Sequence, residues 1–111
     1  MSAAEAARAA DAAPVFAALG DPTRLSLVVR LSGGETLSIS RLSSDIRLTR
    51  QAVAKHLRVL EQAGLVASLR VGRESRFALR AESIEALRSF LDEISAQWDE
   101  ALGRLKAFVE D

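Results

Sequence analysis

The chain has 111 residues, no cysteine and a net charge of zero, with 49% apolar and 27% charged residues. This length fits one small domain, and the missing thiols exclude disulfides and thiolate metal sites. No stretch is apolar enough for a transmembrane helix, and charged residues interrupt the N-terminal segment where a signal peptide would lie. We therefore expect a cytoplasmic protein with no membrane partner.

The zero net charge hides an uneven distribution along the chain. Residues 41–80 hold nine basic and three acidic residues, a net charge of +6, whereas residues 81–111 carry a net charge of −5. A basic middle followed by an acidic tail is typical of a nucleic-acid-binding face joined to a solvated helix. The simpler alternative is an ordinary mixed surface.

The first thirteen residues are alanine-rich and predict an N-terminal arm or a frayed helix, so we assign residues 14–111 to the domain proper. Pro14 suits the first turn of a helix that ends near Leu19. Asp21 and Pro22 then form a strong helix start, with Asp21 as the N-cap. The helix that follows is apolar almost all round, which predicts a central position.

A short helix and a turn come next. Ser38 can cap a helix whose Ile39 and Leu42 point inward, and Thr49 can cap the helix that follows the turn. The helix over residues 50–63 carries one apolar stripe. Its other side presents residue types that hydrogen-bond base edges or phosphates. The candidate DNA-binding residues here are Thr49, Arg50, Gln51, Lys55 and Arg58. A merely solvated helix face is the alternative.

A basic β-hairpin follows this helix. Two alternating runs are joined by Val71-Gly72-Arg73-Glu74, with Gly72 supplying the turn. Phe77 and Leu79 would pack inward. The arginines expected to reach the phosphate backbone or the minor groove are Arg70, Arg73 and Arg76. A surface hairpin with solubilising charges is the alternative.

The sequence argues against catalysis and against a metal site. His56 is the only histidine, and a metal ion would find no cysteine or second histidine to share it. We expect His56 to be packed or hydrogen-bonded. No phosphate-binding glycine loop is present, so we expect neither an enzyme nor a cofactor.

Residues 83–109 read as one long helix with a heptad seam, which predicts packing on a second subunit. A helix folded wholly onto its own core is the alternative, and the length argues against it. Two residues of the first helix, Phe16 and Leu19, can assist. The seam comprises Ile84, Leu87, Leu91, Ile94, Trp98, Ala101, Leu105 and Phe108.

Three segments resemble the ArsR-type bacterial transcriptional regulators: FAALGDPTRLSLVVRL, LTRQAVAKHLRVLEQAGLV and the hairpin VGRESRFAL. The resemblance covers roughly residues 14–110. It implies a mainly α winged helix-turn-helix protein with a small β-hairpin wing, which as a homodimer binds double-stranded operator DNA and usually represses. By position, the family's recognition residues map onto Thr49, Arg50, Gln51, Lys55 and Arg58.

The segment Ser38 to Leu42 reads SISRL, where the metal sensors of that family carry cysteine. We therefore expect a regulator without metal sensing, whose effector the sequence does not name. The alternative function is a winged-helix module for protein–protein contact only.

Overall fold

The computed structural model describes residues 1–110, which form five helices and three strands. In chain order these are α1 (Ala3–Leu19), α2 (Pro22–Leu31), β1 (Leu37–Ser38), α3 (Ile39–Ser43), α4 (Arg50–Gln62), β2 (Val66–Val71), β3 (Glu74–Leu79) and α5 (Ala81–Glu110). The predicted fold class, mainly helical with a β-hairpin wing and a long C-terminal helix, is confirmed. No helix in this part of the chain is long and apolar enough to cross a membrane.

Helix α1 begins eleven residues earlier than predicted. The sequence pattern placed its start at Pro14, but α1 runs from Ala3, with Ser2 as N-cap and Pro14 inside the helix. Proline has no N–H to donate to the preceding turn, yet alanine-rich neighbours favour the helix. Two contacts with α5 then support it: Arg8 lies 3.1 Å from Glu93, and the ring of Phe16 lies 5.9 Å from that of Phe90.

Helix α2 starts as predicted, because the Asp21 carboxylate accepts hydrogen bonds from the backbone N–H groups of Thr23 and Arg24. Helix α2 contacts α1, α4 and β3, but its apolar residues are not buried on every side. Leu27 is fully buried, but Val29 on the opposite side is 64% exposed. In a chain this small, one helix face has nothing to pack against.

The sheet has three strands in the order β1-β3-β2, all antiparallel. Sequence reasoning found β2 and β3 but missed β1, since two residues are too short to show a periodicity. The hairpin turns at Gly72, whose φ is +64°. A positive φ at the first loop position, followed by Arg73 at negative φ, is the pattern of a type II′ turn.

The core lies where α2, α3 and α4 meet one face of the sheet. Its fully buried side chains include Leu27, Leu42, Val53, Leu57, Leu60 and Leu65, with Phe77 closing it from β3. Because α3 and α4 both contribute to this core, packing fixes their relative orientation. The solvent-facing side of α4 is thereby fixed as well.

Helix α5 contributes least to this core. None of its residues is fully buried, and its last two turns point into solvent, with Phe108 81% and Val109 80% exposed. The helix is about 45 Å long at 1.5 Å per residue, whereas the molecule measures 63 × 29 × 21 Å. The second half of α5 therefore extends past the domain.

Candidate nucleic-acid interface

Helices α3 and α4 form a helix-turn-helix whose two starts are capped as predicted. The Ser38 hydroxyl accepts from the backbone N–H of Arg41, and the Thr49 hydroxyl accepts from that of Ala52 at 3.1 Å. The turn between them is tied to α2, because Arg30 Nη1 lies 3.0 Å from Asp45 Oδ2. These bonds hold the N-terminus of α4 at the surface, where its free N–H groups favour a phosphate.

The two sides of α4 differ sharply. Val53, Leu57 and Leu60 are at most 1% exposed. The predicted DNA-facing residues all lie on the exposed side: Thr49, Arg50, Gln51, Lys55 and Arg58. Within residues 1–110, the basic members of this set have no acidic partner within 4.0 Å. The face is therefore a row of solvated cations without counter-charge.

The strand register separates the three wing arginines. Arg76 pairs with Leu69 and Ser38 and lies on the outer face of the sheet, away from the core. Arg70 pairs with Ser75. Ser75 and the buried Phe77 are two residues apart on β3 and therefore point to the same face of the sheet. Arg70 thus lies on the face that packs toward the helices. Arg73 occupies the turn. The wing therefore presents cations on both faces and at its tip.

No functional role was assigned from the sequence to two residues near the wing, Glu74 and Arg41. Glu74 Oε2 lies 3.0 Å from Arg76 Nε, so this arginine is paired within its own chain. Arg41 on α3 is exposed and, with Arg76, Glu35 and Glu74, lines a cavity of about 340 Å³ beside β1. Strand β1 pairs with β3 and leads directly into α3, so recognising β1 in the sequence would have placed Arg41 near the wing.

His56 is half-buried and hydrogen-bonded, as expected, and lies against the start of α2. Its Nδ1 is 3.4 Å from Arg24 Nη1 and 3.8 Å from Asp21 Oδ2. The backbone N–H of Arg24 donates to Asp21 and is the main cause of the lowered pKa of that carboxyl, with the charges of His56 and Arg24 adding to it. This cluster positions α4 on α2.

The predicted seam on α5 divides into two parts. Ile84 packs against the domain core, and Leu87 and Ile94 are half-buried. Leu91, which lies between them, is 39% exposed. Ala101 is half-buried. The other later members are exposed: Trp98 at 58%, Leu105 at 59% and Phe108 at 81%. In α1, Leu19 packs on the core, whereas Phe16 remains 38% exposed. An apolar strip thus lies open along the second half of α5.

Among residues 1–110, no three His, Cys, Asp or Glu side chains are grouped closely enough to hold a metal ion. The only histidine, His56, lies beside Asp21 and Arg24. The positive charge of Arg24 disfavours a metal cation at this position.

The chain is similar to known DNA-binding regulators. Residues 19–68 match the profile of a helix-turn-helix domain family. The HTH-type transcriptional regulator Rv2034 of Mycobacterium tuberculosis is 38% identical over 85 residues, which cover 77% of this chain and 76% of that protein.

Solved structures give the same result. An ArsR-like transcriptional regulator from Rhodococcus sp. RHA1 superposes with a TM-score of 0.71 and 39% identity, over 89% of this chain and 92% of that one. A homodimeric winged helix-turn-helix DNA-binding domain from Mycobacterium bovis superposes with a TM-score of 0.65 over 94% and 93% of the two chains. At 22% identity, this second likeness bears on the fold alone.

Proposed function

Because the chain belongs to the ArsR-type winged helix-turn-helix transcriptional regulators, we propose that it acts as a homodimeric repressor that binds an inverted-repeat operator and does not sense metals. It is a transcriptional regulator with a helix-turn-helix DNA-binding domain, not an enzyme. The observation that carries the proposal is the uncompensated cationic face of α4, opposite the buried stripe.

On this proposal, α4 enters the major groove and reads bases. Arg50 and Gln51 lie in its first turn and are exposed, and both residue types make bidentate hydrogen bonds to base edges. Thr49 and the helix N-terminus hold a phosphate, while Lys55 and Arg58 serve bases or phosphates further along. The wing arginines hold the flanking backbone.

The dimer follows from the open apolar strip. Two copies of α5 that pair through Trp98, Leu105 and their neighbours would bury side chains that one copy leaves in water. A two-fold pair places two copies of α4 in successive major grooves about 34 Å apart. The operator is then an inverted repeat, and a dimer bound there blocks transcription.

Metal independence rests on the supply of ligands. Soft metal ions prefer thiolates and imidazoles, and the chain offers no cysteine and one histidine. A winged-helix module for protein contact alone is the competing function, and it would not need the unpaired cations of α4.

The test compares DNA from upstream of the gene with a scrambled duplex, by fluorescence anisotropy at several salt concentrations. Arg50→Ala or Gln51→Ala should cost roughly 1–3 kcal/mol on the operator and reduce its preference over scrambled DNA. Arg73→Ala should weaken both duplexes alike and flatten the salt dependence. Arg104→Ala, an exposed arginine on α5, is the matched control and should leave both affinities unchanged.

Absence of duplex binding by the wild type at low salt would contradict the proposal. Equal affinity for both duplexes would remove its sequence-specific part. A promoter–reporter fusion decides the direction of regulation, since a repressor lowers expression when it is supplied.

A further inference from the structure

A groove of about 430 Å³ separates α1 from the first half of α5. Its surface is mainly apolar, with Ala12 and Val15 on the α1 side and Leu87 and Phe90 on the α5 side. The volume falls in the range of about 300–1,000 Å³ that is usual for small-molecule sites. The DNA-binding surface of α4 does not use this groove.

Of the charged side chains that line the groove, two form an ion pair and one does not. Arg8 is paired with Glu93 at 3.1 Å, so these two charges compensate each other. Asp11, also at the rim, has no basic side chain within 4.0 Å in the described part of the chain. One carboxylate therefore stands uncompensated beside an apolar surface.

We infer that this groove binds a small amphipathic cation, a molecule with an aromatic or branched aliphatic body and one ammonium group. The body would lie between Val15 and Phe90, where burial of apolar surface drives binding. The ammonium group would lie at the Asp11 carboxylate, which selects a cation over a neutral or anionic molecule of the same shape.

The groove also reaches the end of α4. Ala63, the C-cap of α4, lines it, and so does Ser83, whose hydroxyl donates to the carbonyl of Gly64 directly after that cap. A ligand in the groove touches α1, α5 and the end of the DNA-binding helix at once. We expect it to change operator affinity, and operator DNA to change ligand affinity by the same factor. This regulatory part rests on the proposed function.

Binding is tested first without DNA, by calorimetric titration with phenylpropylamine, phenylpropanol and phenylpropionate, which share one body and differ in charge. The amine should bind more tightly than the alcohol by roughly twofold to fivefold, the size of an exposed ion pair, and the carboxylate should bind least. Asp11→Asn should abolish the difference between amine and alcohol. Asp99→Asn, an exposed carboxylate on α5 outside the groove, is the control and should preserve it.

Two variants fill the groove from opposite walls, Ala12→Phe and Ala86→Leu. Each variant should reduce the affinity for the amine at least tenfold. Circular dichroism should show that the fold is unchanged. If one variant fails to fold, the other still provides the test. No saturable binding of the amine at millimolar concentration overturns the inference. So does binding that both folded variants retain.

A second copy of the chain is the competing occupant. If the amine binds only to a dimer-disrupting variant such as Leu105→Glu, the partner subunit fills the groove and the inference fails. If the amine binds but saturation leaves operator affinity unchanged, the site stands and the regulatory part is wrong. If the amine binds and no duplex binds, the proposed function fails while the site stands.

Discussion

Glu74 holds Arg76 on the outer face of the wing, with 3.0 Å between the Glu74 carboxylate and Arg76 Nε. Both side chains are partly exposed, so the pair is screened and its energy is modest. If Arg76 contacts a phosphate, as proposed above, the Glu74 carboxylate beside it repels that phosphate, and the pair then matters more for DNA binding than for folding. On that proposal, the Glu74 carboxylate competes with the DNA backbone for Arg76.

Glu74→Gln should raise affinity for operator and scrambled DNA alike, because it frees Arg76 and removes a repulsive charge. The slope of log affinity against log salt should steepen by up to about 0.9, the value for one added phosphate contact. Anisotropy titrations at four or more salt concentrations measure it. Glu85→Gln, which breaks the Glu85–Arg88 pair on α5, is the control. An unchanged slope for Glu74→Gln would place Arg76 away from the DNA.

Leu105→Glu should convert the dimer into a monomer that remains folded. Leu105 is 59% exposed in the single chain, so the new carboxylate is solvated in the monomer and is desolvated only in the pair. Sedimentation velocity at micromolar concentration measures the change. Val29→Glu, a comparably exposed apolar residue on α2, should leave the dimer intact. A wild-type chain that sediments as a monomer would refute the dimer itself.

Protonation of Asp21 should lower the free energy of unfolding at acid pH. Its pKa is lowered in the folded state, mainly by the Arg24 backbone N–H, so its contribution is full above the ordinary aspartate pKa of about 3.9. That contribution is lost as pH falls through the lowered folded value. Asp21→Asn keeps a capping oxygen but cannot titrate, so its unfolding free energy should depend less steeply on pH below about 4.

Urea denaturation at a series of pH values provides the measurement for Asp21. Asp92→Asn, an exposed carboxylate on α5, serves as the control and should follow the wild type. Parallel curves for Asp21→Asn and the wild type would mean that the cap makes no pH-dependent contribution.

Operator binding should not respond to zinc, cadmium, arsenite or peroxide. The chain has no thiol to oxidise and one imidazole to offer, and carboxylates alone favour hard ions. Titrations with and without each agent, followed by chelator or reductant, test this. A reversible tenfold change in affinity would reveal a ligand set formed across the dimer.

The sequence alone determined the features that depend on local chemistry. Three helices begin at residues whose side-chain oxygens accept hydrogen bonds from backbone N–H groups two or three positions ahead. These N-caps are Asp21, Ser38 and Thr49. Gly72 marks the hairpin because it adopts the positive φ that the turn needs. The period of Val53, Leu57 and Leu60 settled which side of α4 is buried, and so which side its cations occupy.

Only the tertiary structure decided the features that depend on distant contacts. Helix α1 continues through Pro14 with Arg8 and Phe16 resting on α5. Strand β1 forms only because β3 offers it an edge, and that pairing brings Arg41 beside Arg76. The groove beside Asp11 exists because α1 and α5 touch through the Arg8–Glu93 and Phe16–Phe90 contacts, while Asp11, Ala12 and Val15, which lie between these contacts on α1, line an open space. Side chains far apart in the chain come together through packing, which no local pattern records.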